Sequence, residues 1–419
     1  MDVRLFQGVQ LEDRALSTLK AYSLMGRIHV PSLAVSFRNV KRNRGAAGID
    51  KVSIAMFEAN LEQNLLALAR RLKDGSFRPY PLRRVDIPKG PGKTRPLGIP
   101  AVRDRIAQEA LRLNLSPIFE QGFHNDSYGF RPKRSCHMAV QRVLELHRLG
   151  YRHVLDADIQ GFFDNLPHSV IMRGVAERIA DGGILDLIEK FLKAGVMVNG
   201  KFQPTLVGTP QGGVISPMLA NIALNGLDWH LDQAGYRFVR YADDFVVLCQ
   251  TEDQVKAAHD LVQHHLELIG LTLSAEKTRL TTFHEGYTFL GFDISDRTVT
   301  MRAKSVEKFK TTIRKLTQRH CNLDHDVIRK VNAVVRGVAN YFAAPFARVC
   351  SLFRDLNGWV RMRIRCMKSK RKSRSDNWWI RQKHLDRLGL IALGYARAPP
   401  TVGTADASHE ALATGSPGA

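Results

Sequence analysis

Acidic residues are the scarce class in this chain. Its 419 residues include 40 Asp and Glu against 62 Lys and Arg, a formal charge of +22. A deficit that large excludes a neutral surface and leaves a field that attracts polyanions, of which nucleic acid is the usual soluble one; an anionic membrane surface is the alternative. Cysteine is also thin. The five residues (Cys136, Cys249, Cys321, Cys350, Cys366) are scattered and form no CxxC pair. That pattern excludes a disulfide framework and a zinc ribbon and fits a reducing interior. Cys249, at the end of an apolar run, reads as a small core residue. No stretch of about 18 apolar residues occurs, so no membrane-spanning helix is expected. The opening MDVRLFQGVQLEDRALSTLK lacks the apolar centre of a signal peptide.

What is present suffices for a globular protein. With 44% hydrophobic residues the chain builds real cores, and its length suits about three lobes. Residues 1–60 read as helical, with a basic turn at KRNRGAAGID (41–50), and a helix over 61–72 stops near Asp74-Gly75. PLRRVDIPKGPGKTRPLGIP (81–100) reads as a hairpin with a Gly/Pro-rich basic loop. A helix over 103–119 follows, then a loop-rich stretch around SYGFRPKRS (127–135). HVLDADI (153–159) is a buried strand, helices run from Pro167 to about Ala194, and a hairpin turns at Asn199-Gly200. GTPQGGVISPMLANIAL (208–224) is a turn-rich loop entering an apolar helix. YRFVRYADDFVVLCQ (236–250) is strand, turn and strand, and 252–269 is helical. Strands resume around FLGFDIS (289–295). Residues 303–390 are helical and very basic, and the Ala/Gly/Pro/Ser/Thr-rich end, from about 397, reads as a disordered tail.

Because acid is scarce, its placement is informative. Asp243 and Asp244 are adjacent at a turn between two apolar β runs, where they repel each other and add little to folding. Asp favours turns, so the pair alone is more often a plain turn. Asp158 closes another apolar run, and period-2 alternation puts it on one strand face with Asp156. If the two strands are neighbours, the acids can hold two Mg²⁺ about 3.5–4 Å apart for in-line phosphoryl transfer.

Eight segments in order resemble the bacterial group II intron-encoded reverse transcriptases, the intron maturase family. They are RGAAGID (44–50), IPKGPGKTRPLGIP (87–100), SYGFRP (127–132), DADIQGFFDNLPH (156–168), GTPQGGVISPMLANIALNGLD (208–228), RYADDFVVL (240–248), LTLSAEKT (271–278) and FLGF (289–292). The resemblance implies an α/β right-hand polymerase with fingers, an antiparallel palm sheet flanked by helices, and a helical thumb. It places an N-terminal extension and the start of the fingers at 1–80, fingers and palm at 81–300, and a basic thumb and maturase domain at 301–396, with the tail at 397–419. It implies an RNA-directed DNA polymerase that binds intron RNA, assists its splicing and copies it into DNA.

In site residues, the resemblance implies that Asp158, Asp243 and Asp244 bind two Mg²⁺ (Mn²⁺ a possible substitute), with Asp244 the more peripheral, and that Lys277 gives a proton to pyrophosphate. A surface lysine after a strand is the plainer reading of Lys277. Lys89 and Arg95 would hold the incoming dNTP triphosphate, with Ile159 and Gln211 lining the pocket; a solvated basic loop is the alternative for the first two. Phe163, or its neighbour Phe162, would exclude a 2′-hydroxyl, unless either is a plain core residue. Ser216 and Asn221 are weaker candidates. Tyr241 and Gly291 would meet the primer strand. The run Arg361–Arg374, with Arg361, Arg363, Arg365, Lys368, Lys370, Arg371 and Lys372 and no acid, would contact RNA backbone. Trp378 and Trp379 would anchor the last helix or stack on a base. Partners implied are RNA template, DNA primer or target, and dNTPs, in a bacterial cytoplasm near the nucleoid. The sequence lacks the paired Cys and His-Asn-His cluster of the family's endonuclease, so none is expected. Alternatives are a relative domesticated for DNA repair or phage defence, and a splicing-only RNA-binding maturase.

Overall fold

The computed structural model describes residues 20–394 apart from 91–92, 199, 210–211, 321 and 372–375, with the side chains of 89–90, 93 and 376–377 also outside the description. The chain divides into two compact units between Glu285 and Gly286. The expected tail from 397 and the first 19 residues lie outside the described residues.

The first unit runs through α1 (Val30–Arg42), α2 (Ile54–Ala59), α3 (Leu61–Lys73), β1 (Leu82–Gly90), β2 (Lys93–Ile99), α4 (Val102–Glu120) and α5 (Cys136–Arg148). Then come β3 (His153–Asp158), α6 (Phe162–Asn165), α7 (His168–Arg178), α8 (Gly182–Leu192), β4 (Val196–Val198) and β5 (Lys201–Gln203). It ends with α9 (Ser216–Gln233), β6 (Arg237–Tyr241), β7 (Asp244–Cys249), α10 (Glu252–Leu268) and β8 (Arg279–Thr282). The expected hairpin at 81–100 forms β1 and β2 and continues through β4 into a four-stranded sheet of order β2-β1-β4-β5. The pairing of β1 with β4 is parallel, a contact that sequence spacing does not announce.

The second sheet has order β6-β7-β3-β8, and every pairing in it is antiparallel. It corresponds to the antiparallel sheet expected from the resemblance. Leu155, Ala157, Phe238, Phe245 and Val247 on one face join the main core. Val154, Val239, Val246 and Leu248 on the other face are equally buried, and α5 packs against β6 and β7. Coverage on both faces is why β7 reads as a continuous apolar run rather than an alternating one. The same reasoning explains α4 and α9, which are buried on most sides and lack a simple polar face. Local signals fix the ends of other helices. Thr251 and Gln254 form a reciprocal capping box at the start of α10. Helix α5 was not expected; its buried Ala139, Val140, Val143 and Leu146 have helical spacing, hidden behind the turn-rich motif that precedes it.

The second unit opens with a three-stranded antiparallel sheet, β9 (Tyr287–Phe289), β10 (Phe292–Ile294) and β11 (Val299–Met301), of order β11-β10-β9. Helices α11 (Ala303–Leu316), α12 (His325–Phe342), α13 (Cys350–Ser369), α14 (Asp376–Trp379) and α15 (Gln382–Arg387) follow. Phe292 is the hub: Tyr341, Phe342 and Phe346 ring it at 5.7, 5.2 and 5.6 Å between centroids. The segment ANYF (339–342) therefore supports the FLGF hairpin, and the Tyr341 hydroxyl donates to the Leu290 carbonyl at 2.8 Å. Two asparagines clip the following chain down. Asn332 donates to Gly389 O at 2.7 Å and accepts from Ile391 N at 3.0 Å, and Asn357 does the same for both groups of Leu393. Among the described residues no helix is long and apolar enough to cross a membrane.

Asp181 ties two parts of the first unit together. It caps α8 by accepting from Gly183 N at 3.0 Å and Ile184 N at 3.2 Å, and it accepts from Met25 N at 2.8 Å. Asp181→Ala is expected to lower stability by about 1–2 kcal/mol, the usual cost of a lost N-cap, measured by thermal denaturation. An unchanged melting temperature would show that water replaces the cap at no cost.

Candidate active site

The acids meet where β3 ends and the β6–β7 hairpin turns. Pairing of β3 with β7 sets Asp158 opposite Asp244, and pairing of β6 with β7 sets Tyr241 opposite Asp244. Directly opposed residues in an antiparallel pair have Cβ atoms about 4.5–5.5 Å apart, and like charges there are destabilising. Alternation puts Asp156, Asp158 and Asp244 on the face that α5 covers further along the strands. Asp243 occupies the two-residue turn with Ala242, whose φ is +62°. A positive φ costs a residue with a Cβ on the order of 1 kcal/mol or more, so something must hold the turn in place. The register pairs Asp158 with Asp244 and leaves Asp243 at the tip.

The electrostatics follow from burial. Burial pushes the Asp244 carboxyl up to about 7, reinforced by Asp156, Asp243 and Asp158. Burial also raises Asp243, and Asp158 adds to it, while Arg95 and Lys277 pull the other way. Lys277 Nζ donates to Asp158 Oδ1 at 2.7 Å, linking the segment before β8 to the end of β3. Among the described residues no group of three or more His, Cys, Asp or Glu is already gathered as metal ligands. The donor set nevertheless suits a hard divalent cation, because all three acids offer oxygen and two of them are held against their own charge. The residues that would hold it are Asp158, Asp243 and Asp244.

A network that the sequence reading did not single out holds the turn. Arg240, the last residue but one of β6, is 1% exposed and so is its partner Asp228 on α9. The pair is bidentate, Nε to Oδ1 at 2.7 Å and the second contact at 2.5 Å. Arg240 also donates to Ala242 O at 3.0 Å and to Asn221 Oδ1 at 2.9 Å. Asn221 in turn donates to Gly129 O at 2.8 Å, and Tyr128 N donates to Arg240 O at 2.8 Å. A Cβ on Gly129 would overlap the backbone of Ala242, which explains the glycine. The clue in the sequence is a lone charge of each sign inside two apolar runs. Ser216, the other weak candidate, accepts from Thr209 Oγ1 at 2.8 Å and so braces its own loop.

The expected nucleotide residues divide unevenly. Arg95 on β2 lies close enough to Asp243 to act on its charge. The side chain of Lys89 and the whole of Gln211 lie outside the described residues. A Cβ on Gly212, at φ +118°, would overlap Gly98 O, so Gly212 rests directly on β2. Ile159 is buried, and its side chain belongs to the core. Phe162 is also a core residue, with its ring edge-on to Phe163 at 5.3 Å. Phe163 keeps a half-exposed face, and its carbonyl accepts from Thr209 N at 2.8 Å.

The expected nucleic-acid contacts include several residues already engaged in packing. Tyr241 is half-buried beside the turn, and burial raises its hydroxyl above the ordinary tyrosine range. Gly291, in the second unit, turns the β9–β10 hairpin at φ +82°. Arg363 donates to the Thr317 carbonyl at 2.6 Å and so closes the end of α11. Arg365 donates to Ile380 O at 2.8 Å, and Arg361 to Gln382 Oε1 at 2.7 Å. Lys368, Lys370 and Arg371 are exposed, with Lys370 Nζ 3.4 Å from Asn322 Oδ1; Lys372 lies outside the described residues. Trp378 and Trp379, expected to anchor the last helix or to stack on a base, are 75% and 78% exposed.

An antiparallel sheet with opposed acids at a strained hairpin is the palm of a right-hand polymerase. The comparisons agree. The family model for reverse transcriptase (RNA-dependent DNA polymerase) matches residues 87–294, and that for the group II intron maturase-specific domain matches 306–385. Protein YkfC of Escherichia coli (strain K12) is 37% identical over 316 residues, 65% of this chain and 83% of that protein. Group II intron-encoded protein LtrA of Lactococcus lactis subsp. cremoris is 38% identical over 231 residues, 54% of this chain but 37% of that longer protein. The putative COX1/OXI3 intron 2 protein of Saccharomyces cerevisiae is 28% identical over 321 residues, 62% of this chain and 37% of that one. The chain belongs to the group II intron-encoded reverse transcriptase family.

The raised Asp244 carboxyl gives a stability test. Unfolding returns the group from about 7 to its ordinary 3.8. Between those values the folded state binds the extra proton, so stability falls as pH rises through the window. In metal-free buffer Asp244→Asn is expected to melt above wild type at pH 8, and the gap should close toward pH 4. A gap independent of pH would contradict the assignment.

Proposed function

We propose that the protein copies RNA into DNA by two-metal nucleotidyl transfer, and that its RNA is a group II intron whose splicing it also assists. The observation that carries this reading is the register that opposes Asp158 and Asp244 beside Asp243 at a strained turn. A splicing-only protein gains nothing from keeping mutually repelling, half-desolvated acids. The match to the maturase-specific domain and the +22 charge support RNA as the partner.

Bound divalent cations would lower the pKa of the primer 3′-hydroxyl and neutralise charge on the triphosphate. The chain's own residues do the rest. The primer 3′-oxygen, its proton passing to solvent water, forms a bond to the α-phosphorus as the bond to the bridging oxygen of pyrophosphate breaks. Arg95, with Lys89, holds the triphosphate in line, and a guanidinium suits phosphate bidentately. Lys277, whose ammonium group donates to Asp158 Oδ1 at 2.7 Å, gives a proton to the departing pyrophosphate. The half-exposed ring of Phe163, backed by the buried Phe162, excludes a 2′-hydroxyl. Gln211 lines the pocket, and the backbone at Ile159 closes it beside Asp158. Tyr241 and Gly291 meet the primer strand. Lys368, Lys370, Arg371 and Lys372 contact intron RNA backbone, while Arg361, Arg363 and Arg365 add their field from positions fixed by packing.

Primer extension on an RNA template with dNTPs and Mg²⁺ tests the proposal. Wild type is expected to extend, and Asp243→Ala to lose on the order of 10³-fold or more, as expected when a metal ligand worth several kcal/mol is removed. No extension by wild type, with intron RNA still bound, would overturn the polymerase reading and favour a splicing role.

A further inference from the structure

The SYGFRP loop contains one residue that its surroundings do not explain. Ser127, Tyr128 and Arg131 are buried, whereas Phe130 between them is 58% exposed. Its φ is +57°, a left-handed conformation that is an outlier for a bulky aromatic residue. The loop is fixed on both sides of it. Tyr128 N is bonded to the Arg240 carbonyl. Arg131 donates to Glu120 Oε1 at 2.9 Å, to His124 O at 2.5 Å and to Ser127 O at 2.6 Å. Gly129 rests directly on the Ala242 backbone. The fold thus holds Phe130 in a strained conformation without burying its ring, the pattern of strain kept at a working site.

The ring has a neighbour of the same kind. Its centroid lies 6.3 Å from that of Tyr241 at 43°, and Tyr241 stands opposite Asp244. Pro132 and Lys133 beside it are exposed, so the surface joins aromatic rings to a positive charge. Phosphodiester chemistry at the acids brings the primer's 3′ end to this turn, and aromatic faces pack well on sugars and bases. We propose that Phe130 extends the seat that Tyr241 begins, packing on the deoxyribose faces of the primer's last nucleotides while Lys133 meets the backbone phosphates. This rests on the polymerase reading of the acids.

The test uses the full chain with Phe130→Gly, Phe130→Ala and Phe130→Leu in steady-state primer extension and thermal denaturation. Glycine adopts this φ without strain, so Phe130→Gly is expected to melt at or above the wild-type temperature. The same variant, and Phe130→Ala, should raise the KM for primer–template by about fivefold or more, with kcat and the KM for dNTP within about twofold. Phe130→Leu should fall between them and wild type. An unchanged primer–template KM in Phe130→Gly would overturn the proposal while leaving the polymerase intact. A rise in dNTP KM instead, or a defect that follows single-stranded template length rather than primer length, would also overturn it. No extension by wild type would remove the polymerase reading and this inference together.

Discussion

The buried pair of Arg240 and Asp228 is the interaction on which the site depends. Two opposite charges taken almost fully out of water are tolerated only with every hydrogen bond in place, and here they are bidentate and shared with Asn221 and Ala242 O. From Arg240 the restraint passes to the turn at Ala242 and, through Asn221, to the loop at Gly129. The turn is strained, and its acids repel each other. Neither condition would persist on a freely moving hairpin. The pair therefore contributes less to net stability than to holding one geometry, a division that buried ion pairs show in some other proteins.

That restraint accounts for the organisation around it. Helix α9 supplies Asp228 and Asn221, and burial on most sides fixes it against α7, α10 and α4. Helix α5 packs against β6 and β7, and Val154, Val239, Val246 and Leu248 on the acid-bearing face are buried, whereas Asp158 and Asp244 at the end of that face are not fully covered. One end of a sheet face is thus packed while the other is kept for chemistry. Lys277 bridges to Asp158 from the segment before β8 and, with Arg95, sets positive charge against the acids. Desolvation, the largest cause of the raised Asp244 carboxyl, is also what makes a divalent cation favourable there.

Much of this was legible in the sequence. The scarcity of acid made Asp158, Asp243 and Asp244 conspicuous, and the apolar runs around them placed them correctly at the end of β3 and the turn into β7. The hairpin at 81–100, helix α10 and the strands near FLGF also follow from local pattern. The exact opposition of Asp158 to Asp244 was not legible, because register depends on tertiary pairing. Arg240 and Asp228 were missed because each looks like an ordinary charge next to an apolar run, and only the fold brings them together across α9 and β6. In the basic run from Arg361, density of charge says nothing about which guanidinium groups also donate to carbonyls, as those of Arg363 and Arg365 do. In the same region, Trp378 and Trp379, read as anchoring the last helix or stacking on a base, are exposed, which the sequence alone does not decide.

The most direct test replaces the pair rather than breaking it. In Arg240→Met with Asp228→Leu, no buried charge is left alone, so the fold should survive with a melting temperature within a few degrees of wild type. If the pair exists to hold the turn, RNA-templated extension should still fall by about 100-fold or more, since loss of alignment of roughly an ångström costs that much. A folded double variant that extends primers at the wild-type rate would contradict the account.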